Sequence, residues 1–207
     1  MKKNLKENCQ IKEVNQMLIE GMQELIGQED LCLVLEKAKV KYVTDDCGKL
    51  YLVQPVLSYQ EINRIKKIFD GMLGESGTRG AALRMGRSFF EDFFKKYGIQ
   101  IGLNSLEYRM MPLKCRIKTG LEKLSVQFST FSDAVIKIRD DEDKWYWVYE
   151  SLPDCFRGEN KDNPINDFSV GMLQAYLSWA SGGKNYPVQK TFTPEACVIE
   201  IGKKALG

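Results

Sequence analysis

DCFRGENKDNPINDFSVGMLQAYLSWASGGKNYPVQKTFTPEACVIEIGKKAL, residues 154–206, is the stretch whose reading decides the fold. Within it Phe168, Gly171, Met172, Ala175, Tyr176 and Trp179 recur at helical spacing, Gly182 and Gly183 supply a stop, and Val188 to Phe192 and Ala196 to Ile201 read as short strands. Helix, stop and hairpin form one folding unit. The aromatic run Trp145-Tyr146-Trp147-Val148-Tyr149 just before it reads as a neighbouring strand, so helix and sheet can enclose apolar volume between them.

Working outward, Val135 to Ile138 reads as a short strand, Val135, Lys137 and Arg139 alternating with Ile136 and Ile138 as in a sheet with one wet face, and the acidic turn at residues 140–143 joins it to the Trp145 strand as an antiparallel hairpin. Pro112 suits the first turn of a helix over Leu113 to Phe131, with Ile117, Leu121, Leu124 and Phe128 inward. Thr78 to Tyr97 is strongly amphipathic: Ala82, Gly86, Phe89, Phe90, Phe93, Phe94 and Tyr97 share a face opposite Arg84, Arg87, Glu91 and Lys95. Gly86 on that face lets another backbone or a flat ligand come close. Arg87, Glu91 and Lys95, four apart, read as a surface ion-pair ladder. Ser58 with Glu61 is a capping box opening a helix that Gly71, Gly74 and Gly77 end in a loop. Further upstream, Leu5 to Ile26 reads as an amphipathic helix stopped by Gly27, and Asp30 caps a second helix to Ala38. Residues 39–42 and 50–53 read as extended around the turn at Asp45. The fold class is therefore α+β, a roughly four-stranded antiparallel sheet packed with helices, with residues 1–57 as an N-terminal helical extension and 58–207 as a ligand-binding domain.

Composition narrows the function. The chain of 207 residues is 43% apolar and 28% charged with net charge +2, an ordinary globular balance without a basic block for nucleic acid. No apolar run approaches the roughly 20 residues a membrane span needs, and the start is too polar for a secretory signal, so a cytoplasmic location is expected. The six cysteines contain no C-x-x-C pair and read as reduced core thiols, Cys155 and Cys197 included. The acidic turn lacks calcium-loop spacing, and the glycines near residue 77 lack a phosphate-loop Lys. Histidine is absent, which removes Ser-His-Asp and Cys-His catalysis and any His-ligated metal. On the same ground haem is expected to be excluded.

The segments Gly77 to Phe90 and Cys155 to Leu206, with Gly171 on the later helix and Pro194 to Lys203 as a closing strand, resemble the 4-vinyl reductase domain family, also called hydrocarbon-binding proteins. Ile26 to Ala38 resembles the N-terminal extension of bacterial members. The resemblance implies a module related to Golgi transport-particle subunits and haem-based gas sensors, enclosing a small-molecule or acyl-chain cavity in a homodimer. It also implies a zinc comparison: phenol-sensing members use four ligands, and with the last set on Cys197 the others fall on Asn166, Tyr186 and Gln189, so no zinc is expected here.

The expected function is non-catalytic binding or sensing of a small hydrophobic molecule or acyl chain, without cofactor. Phe89, Phe90, Phe93, Trp145, Trp147, Met172, Tyr176 and Trp179 are the expected lining, and Arg84 and Arg87 would grip a carboxylate at its mouth. Against this stand core packing for the rings and the surface ladder for the arginines. The alternatives are an enzyme or accessory protein of tetrapyrrole vinyl reduction, for which no nicotinamide or flavin motif is present, and a dimeric scaffold docking a partner protein.

Overall fold

A computed structural model describes residues 5–54, 57–131, 135–151, 164–192 and 197–206. Its elements are α1 (Leu5–Ile26), α2 (Gln28–Lys37), β1 (Tyr42–Thr44), β2 (Leu50–Leu52), α3 (Tyr59–Tyr97), α4 (Leu106–Met110), α5 (Leu113–Phe131), β3 (Val135–Asp140), β4 (Lys144–Ser151), α6 (Pro164–Ser181), β5 (Val188–Phe192) and β6 (Cys197–Gly202). The expected α+β class is what forms. Four antiparallel strands run in the order β3-β4-β6-β5, and β1 and β2 make a separate hairpin.

The local signals act where their chemistry predicts. Ser58 accepts the Glu61 amide while the Glu61 carboxylate takes the Ser58 amide at 2.7 Å, so both orphan donors at the start of α3 are satisfied. Gly27, at φ 80°, separates α1 from α2, and the cap of α2 is Gly27, with Asp30 inside the first turn where its charge suits the helix dipole. The Asp45 carboxylate accepts the Cys47 and Lys49 amides and closes the β1–β2 turn.

The first strand falls at Tyr42–Thr44 rather than over 39–42, α4 was not read, and the largest difference is in α3. The glycines at 71, 74 and 77 do not make a loop: α3 runs through them, and only Gly74, at φ 70° and ψ 164°, leaves helical geometry and kinks it. Gly71 and Gly77 keep helical dihedrals, because glycine permits a break without imposing one.

Two hydrophobic cores flank this kink. Ile19, Leu31, Val34, Leu35, Leu50, Ile65 and Phe69 pack α1, α2, the small hairpin and the first arm of α3. Phe89, Phe93, Ile117, Leu121, Trp147, Met172, Tyr176 and Ile199 join the second arm of α3 to α5, α6 and the four-stranded sheet. No described helix is long and apolar enough to cross a membrane.

Candidate functional site: an aromatic chamber

The second core is where every expected lining residue sits. Strand alternation decides the floor: Trp145, Trp147 and Tyr149 of β4 face inward, 1%, 0% and 6% exposed, opposite Ile201, Ile199 and Cys197 of β6. Helix α6 lies along α3 because glycines face each other across the contact. A Cβ on Gly86 would stand 2.8 Å from the Met172 amide nitrogen and collide with the Phe168 carbonyl, and one on Gly171 would collide with the Leu83 backbone. The close approach that Gly86 permits is therefore taken by the α6 backbone.

The rings fall into two groups. Phe89 and Phe93 stack at 5.8 Å, Phe128 lies 5.8 and 5.5 Å from them, and Trp147 meets Phe128 edge-on at 6.3 Å, with Phe168 against Phe89 and Tyr149 against Trp147. Phe90 and Tyr176 stand 5.9 Å apart, with Trp179 contacting Phe90, Phe94, Tyr108 and Tyr176. Trp145 sits apart at the Lys203 ammonium, 5.5 Å from its ring centre. Met172 is buried in the same core.

Phe128, Phe168, Tyr149 and Tyr108 belong to this constellation but were not among the expected lining. Phe128 was legible as an inward position of its helix. Tyr108 was not, because it stands on the five-residue α4, too short to show periodicity.

The chamber's polar groups are mostly paired. The Tyr176 hydroxyl donates to the Ile117 carbonyl at 2.7 Å, and its oxygen accepts from Tyr108 at 3.0 Å. Burial pushes the Tyr108 phenol up, and it pushes Tyr176 up further. Gly120 of α5 leaves the room for both hydroxyls, since a Cβ there would stand 2.5 Å from the Tyr108 oxygen. Tyr149 and Ser169 hydroxyls meet at 2.7 Å and tie the sheet to α6. The exception is Trp147: its indole N–H is buried with no acceptor among the described residues.

Arg84 and Arg87 are exposed, outside the ring groups. Instead of extending a ladder to Glu91, Arg87 donates to Gln174 of α6 at 2.7 Å, and Lys95 pairs with Asp92 at 3.0 Å. The Cys197 thiol is buried and desolvation pushes its pKa up to about 12, which keeps it protonated and unreactive. Cys155 and the side chain of Asn166 lie outside the described residues. Tyr186 is buried and Gln189 exposed.

No protein-family model and no curated relative matches the sequence. Solved structures do match its fold. An H-NOX protein from K. algicida is 8% identical over 93% of this chain and 96% of that one, with TM-score 0.58. An H-NOX variant from S. oneidensis is 10% identical over 92% and 97%, TM-score 0.55. A third structure, described as modulating haem redox potential through porphyrin distortion, is 10% identical over 92% and 97%, TM-score 0.56.

These findings correct two expectations. The resemblance to 4-vinyl reductase domains does not stand: no family model matches, and the likeness of fold is to H-NOX proteins. The exclusion of haem does not stand either. A protein of this fold is described by its haem, and histidine is only one axial ligand, thiolate, thioether and phenolate being others. Among the described residues the Tyr108, Tyr149 and Tyr176 hydroxyls are engaged in hydrogen bonds and the Cys197 thiol is held protonated, so none of these four stands ready as an axial ligand. Haem is a ligand to be tested, and no step is derived through it.

Proposed function

We propose that this chain is a non-catalytic sensor module that binds a compact, largely apolar molecule carrying one hydrogen-bond acceptor, within the aromatic chamber beside Trp147. The observation that carries the reading is the orphan indole N–H: a buried donor without a partner costs about 1–3 kcal/mol, and a ligand acceptor would recover it. The likeness to H-NOX proteins over nearly the whole length of both chains supports a sensing role. Phe128 and Tyr149 pack directly on Trp147, with Phe89 and Phe93 against Phe128; Phe90, Tyr176 and Trp179 form the second ring group. Vinyl reduction and the homodimer rested on the resemblance that failed and are not carried forward.

Thermal unfolding with acetophenone and with ethylbenzene, alike in shape but differing in the acceptor, tests this. Stabilisation of about 2.7 kcal/mol at a hundredfold excess over Kd, about 5–11 °C for a chain of this size, is expected from acetophenone. Trp147→Phe should erase the advantage over ethylbenzene. Neither compound stabilising the protein, or the advantage surviving Trp147→Phe, would overturn the proposal. A haemin titration run alongside reads haem directly: stoichiometric uptake with a sharp Soret band would make haem the occupant.

A further inference from the structure

The surface that joins α3 to α5 carries a pattern the chamber does not explain. Among the described residues the three most exposed large apolar side chains are Ile99 at 80%, Met110 at 76% and Leu106 at 72%, and all three fall between positions 99 and 110. Their backbone is held in place. The Leu103 and Asn104 amides both donate to the Gly98 carbonyl, at 2.9 and 3.3 Å, which folds the chain after α3 back on itself, and the Ser105 hydroxyl caps α4 by accepting the Tyr108 amide at 3.2 Å. Tyr108 is the buried residue of that short helix, so Leu106 and Met110, two positions to either side of it, are turned outward.

The same stretch gathers positive charge. Residues 95–123 contain seven Lys and Arg against two Glu, a balance of +5 in a chain whose total is +2, which leaves the remainder at −3. Lys95 and Lys118 are paired, with Asp92 and Asp140. Arg109, Lys114 and Arg116 make no ion pair among the described residues: Arg109 donates to Asn104 at 3.3 Å, and Arg116 donates to the Arg109 carbonyl at 3.0 Å while its Nε is covered and unpartnered. Glu107 is engaged by the Ser105 hydroxyl and its own amide, and Glu122 stands further along α5. Lys114 and Arg116 also occupy the first turn of α5, which contains no acid and where the helix dipole opposes cations. Three cations thus flank the apolar side chains without a counter-charge from the fold.

We propose that this end of the molecule seats on an anionic lipid surface, with Ile99, Leu106 and Met110 entering the headgroup layer and Arg109, Lys114 and Arg116 meeting the anionic headgroups. Protruding apolar side chains bordered by unpaired cations match a bilayer interface in both its parts, apolar depth and surface charge. A folded protein partner is the poorer occupant, since a stable interface takes roughly 20–30 residues a side and here the apolar contact comes from a turn and a five-residue helix. The seated helix also reaches the chamber, through the bond of Tyr108 to Tyr176 at 3.0 Å.

Flotation of the full chain with phosphatidylcholine vesicles, with and without phosphatidylserine, tests this. Recovery with the anionic vesicles alone, falling as sodium chloride screens the charge, is expected. Leu106→Ser combined with Met110→Ser should weaken binding about tenfold or more, and Arg109→Gln and Lys114→Gln about fivefold each. All four positions are exposed, so the thermal melt of each variant should match that of the native chain, which separates lost docking from lost fold. Equal recovery with neutral vesicles, recovery with neither, or the apolar double variant floating like the native chain would overturn the proposal. Saturable binding of a polyglutamate peptide without any flotation would overturn it too, and would give this face to an acidic protein partner.

Discussion

Gly86 and Gly171 hold α3 and α6 together by what they lack. A methyl group at either meets backbone, which cannot rotate away, so the helices must separate and drag the rings on both with them. Gly86→Ala and Gly171→Ala should each cost about 1–3 kcal/mol or more, read as a fall in the urea midpoint. Gly71 and Gly80 are the contrast: both are helical and a Cβ meets nothing within 4 Å. Alanine there should raise stability by about 0.5–1 kcal/mol in the same assay, through the unfolded state. Thiol chemistry separates positions in the same way. Cys47 and Cys115 are exposed and should alkylate in the folded protein, whereas Cys197, buried with its thiol near 12, should react only on unfolding, as peptide mapping by mass spectrometry would show.

At the scale of the element, α3 is set by its first turn and its kink. Glu61 is 8% exposed; burial raises its carboxyl, but the Ser58 hydroxyl and amide, Gln54 and the Arg64 charge together outweigh that and leave it below the ordinary glutamate value. A carboxyl depressed in the folded state stabilises above its unfolded pKa, about 4.3, and that contribution fades as pH falls through the folded value. The stability gap between the native chain and Glu61→Gln should therefore be constant from pH 7 to 5 and close below about pH 4 in urea titrations. The Tyr108–Tyr176 pair ties α4 and α6 to α5 in one network. Tyr176→Phe should cost about 1–2 kcal/mol, and the double change with Tyr108→Phe should cost less than the sum, because the second hydroxyl then loses a partner already gone.

At the scale of the molecule, helix and strand periods were readable wherever an apolar face was long enough to repeat. The spans of α1, α5, α6 and the β3–β4 hairpin follow from spacing, and the Ser58 capping box from two residues. The alternation of Trp145, Trp147 and Tyr149 showed that they share a face, but only the sheet order put that face inward. Strand β6 enters between β4 and β5, pairing Trp147 with Ile199, a partner 52 positions on. No local pattern carries that pairing.

The sequence by itself determined the types of the long periodic elements, the α+β class and the aromatic character of the interior, because each depends on neighbours within a turn or a strand. Only the tertiary structure decided that Gly86 receives a helix backbone, that Gly74 alone breaks α3, and that Trp147 keeps an N–H unanswered among the described residues. Those outcomes depend on distances between residues far apart in the chain, which packing sets and periodicity does not encode.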